Sequence, residues 1–115
     1  MSEVTIWHNP RCSKSRQTLE LLRNRGIEPR VVDYLKKPPT LADIQQALDL
    51  LDVEPATMMR TKESAWSENG LTRTSSRSQL LEAMAREPIL IERPIVFANG
   101  QARIGRPPES VLEII

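Results

Sequence analysis

The chain has 115 residues, a net charge of +1 at pH 7 and 39% hydrophobic residues, which suits one globular domain. The near-neutral charge argues against general attraction to nucleic acid or a membrane. The single cysteine excludes an internal disulfide and a cysteine metal cage. No signal-peptide pattern or membrane-length apolar run is found. We therefore expect a cytoplasmic protein that contacts neither nucleic acid nor membrane and holds no metal.

The N-terminal third predicts a β-α-β unit. Residues 4–7 are apolar and partly β-branched, as in a strand, and residues 30–35 show the same pattern. Between them, residues 13–25 predict a helix, and Gly26 suits its left-handed exit. Two strands joined in this way are parallel neighbours with a right-handed crossover.

A helix follows the prolines at positions 38 and 39. Thr40 predicts its N-cap, with Asp43 three residues further on. Four residues recur at helical spacing as its apolar stripe: Leu41, Ile44, Leu48 and Leu51.

Two more helices are predicted before the C-terminal region. Pro55 opens a short helix that contains two methionines. Residues 61–75 are polar and mixed, and they remain unassigned. Ser76 or a neighbour caps the second helix, which ends before Pro88. Its apolar residues are Leu80, Leu81 and Met84.

The C-terminal region predicts a hairpin and a last helix. The pair Asn99-Gly100 between two β-like runs is a strong hairpin signal, with antiparallel strands at about 95–98 and 101–105. Pro107 and Pro108 start the helix, whose apolar residues are Val111, Leu112, Ile114 and Ile115. The element order predicts an α/β protein with a thioredoxin-like fold: a four-stranded mixed sheet, built from the βαβ unit and the hairpin, flanked by helices.

Cys12 lies where the first predicted strand gives way to the first helix. A helix N-terminus carries unpaired N–H groups and partial positive charge, and Arg11, Lys14 and Arg16 stand close in sequence. An ordinary cysteine, with a pKa of about 8.5, is only about 3% ionised at pH 7, but such surroundings lower the pKa. The polar neighbours are unlike those of an inert core cysteine. We therefore predict a reactive thiolate, supported by Arg11 and Arg16.

Two neighbours are candidates for supporting this thiolate. His8 is the only histidine. One interpretation is that it stabilises the thiolate by a hydrogen bond or by charge. The other is that it is a strand-end residue hydrogen-bonded to the backbone. Ser15 likewise has two interpretations: it donates a hydrogen bond to the sulfur, or it is an ordinary residue of the first helical turn.

Three segments resemble the bacterial glutaredoxin-coupled arsenate reductases of the ArsC family. They are HNPRCSKSRQTLELL at 8–22, ILIERPIVF at 89–97 and GRPPESVLEII at 105–115. They follow one another in the family's order over nearly the whole chain. The resemblance implies a single thioredoxin-like domain over residues 1–115, with a helical insertion at about 40–87. It also implies that Arg93–Pro94 is the cis-proline junction of that fold.

The resemblance also implies the site. Cys12 matches the family's nucleophile, and three arginines match its oxyanion-binding residues: Arg60, Arg93 and Arg106. His8 and Ser15 match residues that the family uses near the thiolate. Arginine suits this task because its planar fork binds tetrahedral oxyanions such as arsenate and stays charged.

The implied reaction is reduction of arsenate to arsenite, with no bound cofactor. Cys12 attacks the arsenic, glutathione acts as co-substrate, and a glutaredoxin resolves the adduct. With no second cysteine, the chain requires outside thiols.

Three alternatives stay open from the sequence. The first is a regulator similar to the Spx-type proteins, which bind RNA polymerase. Those often switch through C-x-x-C, whereas position 15 here is serine. The second is a glutaredoxin-like enzyme that exchanges thiols and disulfides. The third is an oxyanion-binding protein without catalysis.

Overall fold

The computed structural model describes residues 3–115. The chain divides into two compact units. One contains the residues up to Lys37 together with Arg93–Ile115, and the other is Pro38–Glu92. That the whole chain forms a single domain with an insertion at about 40–87 stays a prediction.

The described residues of the first unit form a four-stranded mixed sheet. Its strands are β1 (Thr5–His8), β2 (Arg30–Asp33), β3 (Ile95–Ala98) and β4 (Gln101–Ile104), in the order β2-β1-β3-β4. β1 is parallel to β2 and antiparallel to β3, and β3 is antiparallel to β4. This architecture confirms the predicted α/β class and mixed sheet.

Helix α1 (Ser13–Asn24) makes the crossover between the two parallel strands. It ends as predicted, because Gly26 takes the left-handed conformation with φ 77°. Its inner face packs on the sheet, where burial of apolar side chains provides the main stabilisation. This core cluster consists of Ile6, Leu22, Val96, Ala98, Val111 and Ile114.

The hairpin between β3 and β4 turns at the predicted pair. Asn99 and Gly100 both have positive φ, 53° and 74°, which a two-residue turn of type I′ requires. The Asn99 side chain donates a hydrogen bond to the carbonyl of Ile114, at 2.7 Å. The last predicted helix is present as a 3₁₀ helix, Pro108–Ile114. Two X-Pro bonds are cis: Arg93–Pro94, as predicted, and Arg106–Pro107, which was not predicted.

The second unit opens with helix α2 (Leu41–Leu51). Thr40 and Asp43 form a complete capping box, as predicted. The buried face differs from the predicted stripe at its first position, since Leu41 is 45% exposed and Ala47 is buried. Helical side chains tilt toward the N-terminus, so the side chain of the first residue projects past the end of its own helix.

The remaining elements of this unit are short. Pro55 opens a short helix as predicted, a 3₁₀ helix at Pro55–Met58, which contains Met58 but ends before Met59. Helix α3 (Ser64–Glu68) lies in the stretch that the sequence left unassigned. Helix α4 (Arg77–Arg86) carries the predicted Ser76 cap, completed by the side chain of Gln79, and a 3₁₀ segment, Pro88–Leu90, follows it.

Candidate active site

Cys12 is the N-cap residue of α1, with extended backbone at φ −95° and ψ 123°. The loop that leads to it is fixed by the Asn9 carbonyl, which accepts from the Cys12 N–H at 3.0 Å. The Asn9 side chain also accepts from the Arg11 N–H at 3.0 Å. The first turn of α1 therefore begins directly behind the sulfur, with its unpaired N–H groups toward it.

The environment of Cys12 favours the thiolate. Burial by itself raises the pKa of this thiol, since the residue is only 9% exposed. The backbone N–H of Ser15, the Arg93 guanidinium and the backbone N–H of Lys14 act in the opposite direction. Together they outweigh burial and hold the pKa of Cys12 below its usual value. The sulfur is thus a more available nucleophile than an ordinary cysteine.

The hairpin brings two arginines to this sulfur. Ile95 pairs with Ile104 and also with Trp7, so the start of β3, the end of β4 and the end of β1 meet at one edge of the sheet. Arg93 and Arg106 lie just outside the hairpin strands at that edge. The Arg106 Nη2 donates to the Cys12 Sγ at 3.5 Å, and its Nε donates to the Arg93 carbonyl at 2.9 Å.

The Arg93 guanidinium also hydrogen-bonds to Cys12. Burial lowers the pKa of Arg93, but the neighbouring Cys12 and Tyr34 together raise it by more, so the net shift is upward. Two guanidinium groups therefore face one sulfur. This arrangement provides a compact positive site for a small anion beside a nucleophile.

His8 and Ser15 form a buried pair behind the sulfur. The His8 Nδ1 lies 2.6 Å from the Ser15 Oγ, which also accepts from the Asn9 N–H at 3.0 Å. Burial lowers the pKa of His8, Asp33 opposes this, and Arg23 and Arg16 add to the lowering. Neutral imidazole is therefore favoured. The Ser15 hydroxyl bonds to His8 and Asn9, while the backbone N–H of Ser15 contacts the thiolate.

The model of the ArsC family matches residues 7–114. The chain belongs to the ArsC family. A protein of Escherichia coli (strain K12) named "Uncharacterized protein YfgD" is 52% identical over 115 residues, which cover 98% of this chain and 97% of that protein.

Relatives of this ArsC-family chain carry the name arsenate reductase. The one from Neisseria meningitidis serogroup A is 45% identical and is covered completely, as is this chain. Among solved structures, the arsenate reductase from Vibrio cholerae has a TM-score of 0.95 at 50% identity and covers 98% of both chains.

Three more arginines were predicted to belong to the site: Arg11, Arg16 and Arg60. Arg11 and Arg16 are exposed, and the Arg16 guanidinium donates to the carbonyl of Pro10 at 3.0 Å. Arg60 belongs to the second unit, where its guanidinium pairs with Glu63 at 2.9 Å and Glu92 at 3.4 Å. A role for Arg60 in the site of this ArsC-family protein stays a prediction.

One residue near the site went unnoticed in the sequence. Tyr34 directly follows β2, is fully buried and is one of the neighbours that raise the pKa of Arg93. Its position just past a strand parallel to β1 was a signal for it, since the carboxyl ends of parallel strands meet at one edge. Nothing in the residue itself distinguished it from a core aromatic.

Residues 3–115 contain no cluster of three histidine, cysteine, aspartate or glutamate side chains that could hold a metal ion. Within the same residues, no helix has the length and apolar character needed to cross a bilayer.

Proposed function

We propose that this protein reduces arsenate to arsenite with Cys12 as nucleophile and with glutathione and a glutaredoxin as reductants, in the cytoplasm. One observation carries the proposal: the Cys12 sulfur lies at a helix N-terminus with the Arg93 and Arg106 guanidinium groups against it. Relatives of matching length that are named arsenate reductase support the choice of substrate.

The charges explain why such a site suits arsenate. A thiolate and an arsenate ion are both negative and repel each other. Two guanidinium groups beside the sulfur offset this repulsion, and their planar forks match the oxygens of a tetrahedral oxyanion. Arg60 is proposed as the third arginine, in which case arsenate competes with Glu63 and Glu92 for its guanidinium. Arg11 and Arg16, which are close to Cys12 in the sequence, are proposed to add positive potential near the thiolate.

The first step is attack of the Cys12 thiolate on As(V). A sulfur–arsenic bond forms, one arsenic–oxygen bond breaks, and the oxygen leaves as water after protonation. Arg93 and Arg106 hold the remaining oxygens while negative charge is redistributed among them. His8 and Ser15 support the step indirectly, because their hydrogen bond fixes the helical turn whose N–H faces the sulfur.

The second stage needs two outside thiols. Glutathione attacks the adduct and displaces another oxygen as water, so that arsenic is bound to both sulfurs. The glutaredoxin thiolate then attacks the glutathione sulfur and forms a mixed disulfide, and the two electrons of the broken bond reduce As(V) to As(III). Hydrolysis of the last sulfur–arsenic bond releases arsenite and the Cys12 thiolate. The chain has no second cysteine that could replace these thiols.

The test is arsenate-dependent NADPH oxidation in the presence of glutathione, glutaredoxin and glutathione reductase. Wild type should turn over, Cys12→Ser should show no turnover above background, and Arg103→Ala should retain activity. Arg103 is a matched control because it is an arginine of the same unit that pairs with Glu113, at 2.9 Å. Equal turnover in wild type and Cys12→Ser would overturn the proposal.

The alternatives give different outcomes. Disulfide exchange without arsenate reduction would favour a glutaredoxin-like enzyme, and arsenate binding without reduction would favour an oxyanion-binding protein. Recovery of RNA polymerase subunits in a pull-down, again without reduction, would favour the Spx-type regulator.

A further inference from the structure

Gly105 lies between β4 and Arg106, at a position where a side chain would not fit. The residue is buried, and its φ lies outside the left-handed region that favours glycine. An ideal β-carbon at this position would lie 2.6 Å from the Thr18 Oγ1 and 2.8 Å from the Pro94 Cγ, whereas ordinary van der Waals contact begins at 3.4 Å. Glycine is therefore required here by close packing and not by backbone conformation.

Neither of these two neighbours can move aside easily. Thr18 belongs to α1 and is 0% exposed, and its Oγ1 donates to the Lys14 carbonyl at 2.8 Å. Its branched side chain has few other rotamers within a helix. Pro94 is also buried, and its carbonyl accepts from the Gly105 N–H at 2.9 Å. Room for a β-carbon at position 105 would therefore have to come from movement of the segment that contains it.

The segment around Gly105 also positions Arg106. The Arg106 N–H donates to the Ile104 carbonyl at 2.9 Å, so the chain turns tightly around the glycine. The guanidinium of Arg106 has two printed contacts: its Nε donates to the Arg93 carbonyl at 2.9 Å, and its Nη2 donates to the Cys12 Sγ at 3.5 Å. The first bond orients the guanidinium, and the second brings it to the sulfur.

Two contacts thus join this segment to α1. Gly105 packs on Thr18, and Arg106 reaches Cys12 at the N-terminus of the same helix. A β-carbon at position 105 would need a shift of about 0.8 Å to reach ordinary contact with the Thr18 hydroxyl. Such a shift would move the Arg106 guanidinium beyond hydrogen-bond distance of the sulfur and would stretch its bond to the Arg93 carbonyl.

We propose that Gly105 is a positioning residue: because it has no side chain, the segment of Arg106 packs against Thr18 of α1, and the Arg106 guanidinium comes within hydrogen-bond distance of the Cys12 sulfur. The contact with the sulfur concerns the free protein. Its consequence for arsenate turnover rests on the proposed function.

The test is Gly105→Ala, which adds one methyl group. The pH dependence of Cys12 alkylation by iodoacetamide should show a pKa of Cys12 raised by about half a unit to one unit, so that alkylation well below the pKa slows about three- to tenfold. The kcat/KM for arsenate should fall by at least the same factor. An unchanged alkylation profile in folded Gly105→Ala would overturn the proposal, whether or not the wild type reduces arsenate.

A double-mutant cycle tests whether Gly105 acts through Arg106. In an Arg106→Ala background, Gly105→Ala should cause little further change in the alkylation profile, whereas independent effects would add. Full additivity would overturn the proposal. Val111→Ala is the control for a merely structural effect, since it removes buried volume from the core cluster of the same unit. It should lower thermal stability without moving the alkylation profile, and a shift equal to that of Gly105→Ala would overturn the proposal.

The double variant Thr18→Ala/Gly105→Ala tests the contact with α1. It removes the shorter of the two close contacts and leaves the one with Pro94. Relative to Thr18→Ala alone, its alkylation profile should shift by less than Gly105→Ala shifts that of wild type, and an equal shift would overturn the contact with Thr18. If Gly105→Ala does not fold, the double variant replaces it in the measurement. A raised pKa of Cys12 would then support the proposal. An unchanged profile, or failure of this variant to fold as well, would overturn it, because the glycine would then serve the fold and not the position of Arg106.

Discussion

Replacing Arg106 by alanine should weaken the Cys12 thiolate by a predictable amount. The Arg106 Nη2 lies 3.5 Å from the sulfur. At this separation, two unit charges attract by about 1 kcal/mol at the permittivity of water and about 5 kcal/mol at an effective permittivity of about 20. Arg106 is exposed, so solvent screening places the effect near the lower value. Since one pKa unit corresponds to about 1.4 kcal/mol, the pKa of Cys12 should rise by about one unit.

The assay is the rate of Cys12 alkylation as a function of pH. Arg106→Ala should shift the profile to higher pH, so that alkylation well below the pKa slows about tenfold. Arg103→Ala lowers the net charge equally but removes an arginine paired with Glu113, and its profile should match that of wild type. Equal shifts in both variants would show a general charge effect. No shift in Arg106→Ala would refute the contribution of this contact.

Three further predictions concern stability, measured by chemical denaturation. His8 has a lowered pKa in the folded protein. As the pH falls through about 6.5, the unfolded chain therefore binds more protons than the folded protein does, and the free energy of unfolding decreases. His8→Asn should remove this part of the pH dependence, and an unchanged slope would contradict the prediction. Thr40→Ala removes the cap of α2 and should cost about 1 kcal/mol, whereas no loss would show that the cap is dispensable. Leu48→Ala, at a fully buried position, should cost about 2–5 kcal/mol, and a much smaller loss would mean that the core closes over the cavity.

Features that depend on near neighbours in the chain were predictable from the sequence. The caps at Thr40 and Ser76 each involve a residue three positions away, and the turn at Asn99–Gly100 depends on two residues that tolerate positive φ. Such features can be predicted from the sequence because they depend on neighbouring residues and not on tertiary contacts.

The type of the last helix was not predictable. Its buried residues are Pro108, Val111 and Ile114, spaced by three. A three-residue spacing fits one face of a 3₁₀ helix and one turn of an α-helix equally well. The structure has the 3₁₀ form.

The parts of the site that depend on residues close together in the chain were predictable, and the parts that depend on long-range strand pairing were not. The position of Cys12 at the N-terminus of α1 follows from a strand-to-helix boundary within a few residues of it. The positions of Arg93 and Arg106 depend on the register of the hairpin and on its pairing with β1. The influence of Tyr34 on the pKa of Arg93 joins residues far apart in the chain, and no local pattern marks it. The Ser15 contact with the sulfur goes through the backbone N–H, a group that every residue other than proline carries.

The most direct test of the central claim is the intact mass of the protein after incubation with arsenate and glutathione in the absence of glutaredoxin. We predict a covalent arsenic adduct, with or without glutathione, that fragmentation assigns to Cys12 and that added glutaredoxin removes with release of arsenite. Cys12→Ser should remain unmodified under the same conditions. Arsenite production by wild type without any adduct at Cys12, or by Cys12→Ser at the same rate, would contradict the account.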